Sequence, residues 1–181
     1  MNALISIIMI AVGLSMDAFS LAILYGTLNF NKRKTLTLST AVGVFHFFMP
    51  LLGNFIGIII LKLLPVEPNV LVGIIFLIIS IQMILSTFKQ EEIMNLKGIF
   101  AILLFSFTVS IDSFSVGIGL TAVSDNSLLA VSIFSVTSFL FTYIGLTIGS
   151  KLTEKFGKLS TVFGGIILFL LSVVYLFFYK S

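Results

Sequence analysis

Six stretches of this chain, at residues 3–28, 36–61, 68–88, 98–122, 128–150 and 160–179, stay apolar for long enough to cross a bilayer. A helix needs about twenty predominantly apolar residues to span the hydrocarbon core. Apart from Asp17 and Asp112, no charged side chain falls inside any of the six. Barrel strands would alternate apolar and polar positions over about ten residues, and these runs are continuous. The chain therefore reads as all-α, a polytopic membrane bundle of six transmembrane helices. The breaks at Asn29–Lys34, Lys62–Pro68, Lys89–Lys97, Ser124–Ser127 and Lys151–Lys158 are short. They leave no room for a nucleotide-binding domain, and no GxxxxGK[ST] phosphate loop occurs. Residues 1–181 form a single transmembrane domain, and any transport is driven by a gradient or the membrane potential unless a separate subunit supplies ATP.

Composition closes off the soluble alternatives. Only 9% of the 181 residues are charged and 59% are hydrophobic, against roughly 25% charged in an average soluble domain. Too few polar side chains exist to cover a globular surface, which excludes a soluble enzyme, a nucleic-acid-binding module and a disordered tail. There is no cysteine, hence no disulfide framework and no thiolate metal site. The first apolar run exceeds a signal h-region, lacks a basic n-region and carries an acid at its centre, so it is expected to remain as a helix.

The basic residues orient the bundle. Lys32, Arg33, Lys34, Lys89, Lys97, Lys151, Lys155 and Lys158 fall in the first, third and fifth loops, and only Lys62 and Lys180 fall on the other side. By the positive-inside rule the odd loops are cytoplasmic and both termini face outside.

An internal repeat is also legible. Ser15-Met-Asp17-Ala-Phe19-Ser20-Leu-Ala-Ile23 matches Ser110-Ile-Asp112-Ser-Phe114-Ser115-Val-Gly-Ile118 at five of nine positions. Gly53-Asn-Phe-Ile-Gly57 pairs with Gly145-Leu-Thr-Ile-Gly149, and Gly73-Ile-Ile with Gly165-Ile-Ile, followed by Ser80 and Ser172. The offsets are 95, 92 and 92. They divide the chain into three-helix halves, about 1–90 and 97–181. Because each half has an odd number of spans, the second is inverted relative to the first, a common build for secondary transporters with the site at the repeat interface.

Five of the seven acids (Glu67, Glu91, Glu92, Asp125 and Glu154) lie in loops, where solvation accounts for them. Asp17 and Asp112 each sit near the middle of a span, where an aspartate costs about 2.5–3.5 kcal/mol on insertion scales. No span carries a central Lys or Arg to neutralise them. An intramembrane acid without such a partner points to an ion or proton site; the bland alternative is a protonated aspartate bridging two helices. On the helical repeat, Gly13 and Ser20 share the face of Asp17, and Thr108, Ser115 and Gly119 share that of Asp112. Ser20 and Ser115 are either ligands or orienting groups. His46, the only histidine, lies at similar depth in the second span, four residues before Pro50. It is read as a ligand or proton relay, or else as a packed core residue. Pro50 is expected to kink its helix and free a carbonyl. Asn54 and Gln82 are intramembrane polar groups without polar counterparts in the repeat, and rank lower.

Two carboxylates, hydroxyls and at most one imidazole form a mainly oxygen site. That suits manganese, magnesium, calcium or ferrous iron, and disfavours copper(I), zinc and cadmium. Met16 points about 100° around the helix from Asp17, away from such a site. The residue chemistry stops at a hard divalent cation as substrate, with no bound cofactor.

The segments Gly13-Leu-Ser-Met-Asp-Ala-Phe-Ser and Val109-Ser-Ile-Asp-Ser-Phe-Ser-Val-Gly-Ile-Gly-Leu, with Pro50-Leu-Leu-Gly53 between them, resemble the MntP-type manganese efflux pumps. The resemblance spans essentially the whole chain. It implies export of manganese(II) from a bacterial cytoplasm across the plasma membrane, with Asp17 and Asp112 matching the family's intramembrane aspartates. Where the family pattern often has an acid or an amide four positions before the helix-2 proline, this chain has His46, which changes the charge of the site. Manganese export through the paired aspartates, with proton antiport as one coupling, is the leading reading. Export of another divalent cation or a small solute on the same scaffold, and a non-transporting membrane scaffold, are the competing ones. The size of the bundle is compatible with a homodimer.

Overall fold

The structure is a computed structural model that describes residues 3–63, 66–89, 96, 98–152 and 154–178, with the Glu154 side chain left aside. Glu91, Glu92, Lys97 and Lys180, which entered the reading of the loops, lie outside the described residues. Among the described residues, eight α-helices follow in order: α1 (Ala3–Gly26), α2 (Lys32–Leu63), α3 (Pro68–Ser86), α4 (Gly98–Val109), α5 (Ile111–Ile118), α6 (Leu120–Val123), α7 (Ser127–Ile148) and α8 (Glu154–Val173). A π-helical turn, Val174–Phe178, ends the described chain. Among the described residues, six spans are long and apolar enough to cross a membrane, α4 and α5 together forming the fourth. The protein is a multi-pass helical membrane protein.

The helices begin where local chemistry lets them. Asn31 accepts a hydrogen bond from the Lys34 amide through Oδ1 at 2.8 Å, so α2 starts at Lys32, ahead of its apolar run. Such a cap satisfies an otherwise orphaned N–H. Asn126 does the same for the Leu129 amide at 3.1 Å and opens α7. Proline at the first position opens α3. At α8 the helix reaches back to Glu154 and takes in Lys155 and Lys158, which the sequence placed in the break. Gly157 lies against the backbone and hydroxyl of Ser20, and that contact holds the polar first turns of α8 onto α1.

α1 is the most buried span. It packs against α7 and α8, while α2 packs against α7 and α5, and α3 against α8. One apolar cluster joins Ile10, Leu14, Phe76, Phe134, Leu168 and Leu171. A second joins Tyr25, Leu38, Val42 and Phe105. Large apolar side chains such as Phe55, Phe100 and Phe163 face outward, as expected when lipid is the solvent.

Two crossings bring backbone against backbone. A Cβ at Gly53 or Gly57 would overlap the carbonyl oxygen of Phe114 or Ile118, respectively. A Cβ at Gly145 or Gly149 would meet the carbonyl oxygen of Phe19 or Ile23. The first crossing joins α2 to α5 and the second joins α7 to α1. Small residues permit this approach between membrane helices.

Candidate cation site

Asp112 owes its position to a break in the fourth span. The Ser110 amide bonds the Phe107 carbonyl at 3.1 Å, a tightened i−3 contact. Its hydroxyl takes the Ser106 carbonyl at 2.8 Å, where the amide of a regular helix would bond. Ser106 donates likewise to the Ile102 carbonyl at 2.8 Å, and Ser113 to the Ser110 carbonyl at 2.6 Å. Serine back-bonding of this kind bends helices. Ser110 therefore separates α4 from α5, and Asp112 falls in the first turn of α5, where the N-terminal end of a helix favours negative charge.

Asp17, in the unbroken α1, meets the same space. A cleft of about 390 Å³ is lined by Asp17, Gln82, Met83, Leu85, Ser86, Lys89 and Asp112. It lies between α1, α3 and α5 and reaches Lys89, just beyond the end of α3. The two carboxylates, the Gln82 amide oxygen and the Ser86 hydroxyl make an oxygen-rich donor set. Ser86 donates its proton to the Met83 carbonyl at 2.7 Å, which leaves its oxygen lone pairs available. Among the described residues, no group of three or more His, Cys, Asp or Glu side chains is placed to hold a metal.

His46 stands apart from the cleft lining. It is buried, with Nδ1 3.0 Å from the Val42 carbonyl and 2.9 Å from Ser110 Oγ. The Val42 carbonyl only accepts and the Ser110 proton is given to Ser106, so Nδ1 carries the ring proton and donates. The imidazole thereby ties α2 to the break beside Asp112. In the first half, Ser15 bonds Ser138 through their hydroxyls at 3.0 Å. Ser15 and Ser110 are equivalent in the repeat, and so are Ser138 and His46 at the 92-residue offset.

The remaining sequence candidates are dispersed. Ser20 is buried beside Gly157 of α8 and Ser115 is half-buried on α5; neither is among the residues lining the cleft. Thr108 is exposed, its hydroxyl bonded to the Leu104 carbonyl at 2.9 Å, and it is not among the residues lining the cleft. α2 runs as one helix through Pro50, whose missing N–H leaves the His46 carbonyl without its usual donor. Asn54 donates to Ser127 Oγ at 3.1 Å. Gln82, ranked low on sequence, lines the cleft, and so do Ser86 and Lys89, which sequence reasoning did not select. The helical spacing from Gln82 to Ser86 and Lys89, four residues and then three, was the available signal.

Three comparisons bear on identity. The family model described as "Mntp: Putative manganese efflux pump" matches residues 29–176. A protein of Geobacillus thermodenitrificans named "Putative manganese efflux pump MntP" is 33% identical over 175 residues, covering 96% of each chain. Proteins of the same name from Bacillus velezensis, 35% identical with 91% of this chain and 90% of that one covered, and from Methanocorpusculum labreanum, 37% identical with 98% of each covered, agree. No solved structure matches the chain. With six apolar helical spans and similarity along nearly its whole length, the chain belongs to the MntP family of manganese efflux pumps.

Proposed function

We propose that the protein is a secondary exporter of manganese(II) in which Asp17 and Asp112 together bind the cation. The observation that carries this reading is that both acids line one cleft with Gln82 and Ser86. Two carboxylates balance a divalent charge in a low-dielectric setting, and an all-oxygen donor set is what a hard cation selects. Lys89 places a competing ammonium in the same cleft, so the cation displaces it, or displaces protons, on entry. Proton antiport is the coupling this arrangement favours. His46 acts by holding Ser110, and through it the first turn of α5.

The two three-helix halves act as inverted repeats. Supporting this is a reciprocity of contacts: Gly53 and Gly57 lie on Phe114 and Ile118, and their repeat counterparts Gly145 and Gly149 lie on Phe19 and Ile23. Each crossing pairs one half with the other, so rocking of the halves opens the cleft alternately to either side. The basic loops put Lys89 and the end of α3 in the cytoplasm, and both termini outside, which makes the cleft the cytosolic entry. Ser20 and Ser115 support the helix faces that carry the two acids.

The test is cellular manganese in an exporter-deficient host. Wild type lowers it and restores growth in added manganese, whereas Asp17→Asn and Asp112→Asn, present in the membrane at wild-type amounts, do neither. Export by both variants at the wild-type rate would overturn the proposal.

A further inference from the structure

On the other side of α1 from the acidic cleft lies a groove of a different kind. It has a volume of about 540 Å³ and is bounded by α1, α7 and α8. Met16 and Phe19 on α1, Phe141 on α7, and Phe156 and Phe163 on α8 form most of its walls. The only hydroxyl among its lining residues, on Ser160, is spent on the Phe156 carbonyl at 2.9 Å, so the wall has no polar group to offer an occupant. Phe163, one of the lining residues, is 54% exposed. A void of this character within membrane-spanning helices is filled by something apolar.

Its length and its charged end identify the occupant. From Phe156 to Ile166 the α8 wall rises about 15 Å at 1.5 Å per residue, half of a hydrocarbon core about 30 Å thick. The groove is therefore one leaflet deep. Lys155 lies one helical stripe above it, in register with Leu159, Val162 and Ile166 at spacings of four, three and four. Lys155 and Lys151 are both exposed at that end, and residues 151–158 hold three lysines against the single acid Glu154. A second copy related by a two-fold axis along the membrane normal would bring its own lysines to the same end, like charge against like.

We propose that an anionic phospholipid of the leaflet on the fifth-loop side seats an acyl chain in this groove and its phosphate against Lys155 and Lys151. The tail then packs on Met16 and Phe19, which flank Asp17, and steadies the helix that carries the first acid. The site is independent of what the cleft transports.

The chain contains no tryptophan, so Phe163→Trp gives a single fluorophore in the groove, and Leu159→Trp on the same wall repeats the reading should the first variant fold poorly. Phe55→Trp on α2, equally lipid-facing, reports bulk lipid. Full-length protein is reconstituted in phosphatidylcholine vesicles containing a minor fraction of acyl-brominated phosphatidylglycerol or acyl-brominated phosphatidylcholine. Quenching at Phe163→Trp is expected to show an enrichment of the anionic lipid on the order of five-fold per lysine engaged. Phe55→Trp shows none, and adding Lys155→Gln with Lys151→Gln abolishes the preference. Equal quenching of the groove reporters by both lipids would overturn the proposal. So would absence of quenching there while Phe55→Trp is quenched, which is the signature of a second copy covering the groove.

Discussion

Asp17 and Asp112 occupy matching positions in one repeated motif, yet their helices differ. α1 passes through Asp17 without interruption, while the other span breaks two residues before Asp112. The serine two positions before each acid decides the matter. Ser15 shares its hydroxyl with Ser138 of α7. Ser110 donates back to the Ser106 carbonyl, in a run of back-bonded serines, and accepts from His46 of α2. One hydroxyl is used only between helices, and the other both within its own span and across to α2. The same motif thus yields a straight support on one side of the cleft and a bent one on the other, set by partners rather than by the acid's immediate neighbours.

The sharpest way to break this comparison is at the acids themselves. Asp17→Asn and Asp112→Asn are each expected to reduce manganese efflux from loaded vesicles on the order of a hundred-fold or more, beyond the 10–100-fold typical of groups that only support a ligand. A large difference between the two would mean that the halves are unequal in binding as well as in shape. At the glycine crossings, Gly53→Ala and Gly149→Ala are expected to destabilise the fold by about 1–3 kcal/mol through overpacking. Thermal unfolding in detergent checks whether the α2–α5 and α7–α1 crossings are equally intolerant.

The hydrogen-bonded pairs come next in size. His46→Leu leaves Ser110 without its imidazole partner and is expected to cost about 1–3 kcal/mol. Ser138→Ala, which removes the facing hydroxyl from Ser15, is expected to cost about 0.5–1.5 kcal/mol. Only the first should also slow transport, because only it acts on a break beside an acid. The order of the two melting temperatures, and an efflux assay on each variant, settle this. Thr108→Val is expected to change stability by less than about 0.5 kcal/mol and to leave efflux unaltered, since that hydroxyl serves only its own exposed helix.

Hydropathy made the six spans and their rough limits legible, because exclusion of charge from a bilayer acts on each segment separately. The convergence of Asp17 and Asp112 was readable from the motif and the absence of a central cation. What escaped depended on neighbours distant in sequence. The face of α3 that meets the cleft is fixed by its packing on α8, so the helical spacing of Gln82, Ser86 and Lys89 did not by itself say which neighbour that polar stripe would meet. Lys89 read as a loop charge because the sequence does not show a cleft extending to the helix end. His46 had a depth but no partner until Ser110 was placed beside it, and the early start of α8 followed from the contact of Gly157 with Ser20.

The position of Lys89 also has an electrical consequence. A carrier that releases a divalent ion must bring its empty site back through the membrane field, and each elementary charge moved across 100 mV corresponds to about 2.3 kcal/mol. If both carboxylates returned ionised and alone toward a negative interior they would oppose about 4.6 kcal/mol at that voltage; each proton carried back, or one accompanying ammonium, removes half of that figure. Lys89 contributes only as far as it travels with the cleft. The voltage dependence of the return step, compared between wild type and Lys89→Gln, thus gauges how far the end of α3 moves with Asp17 and Asp112.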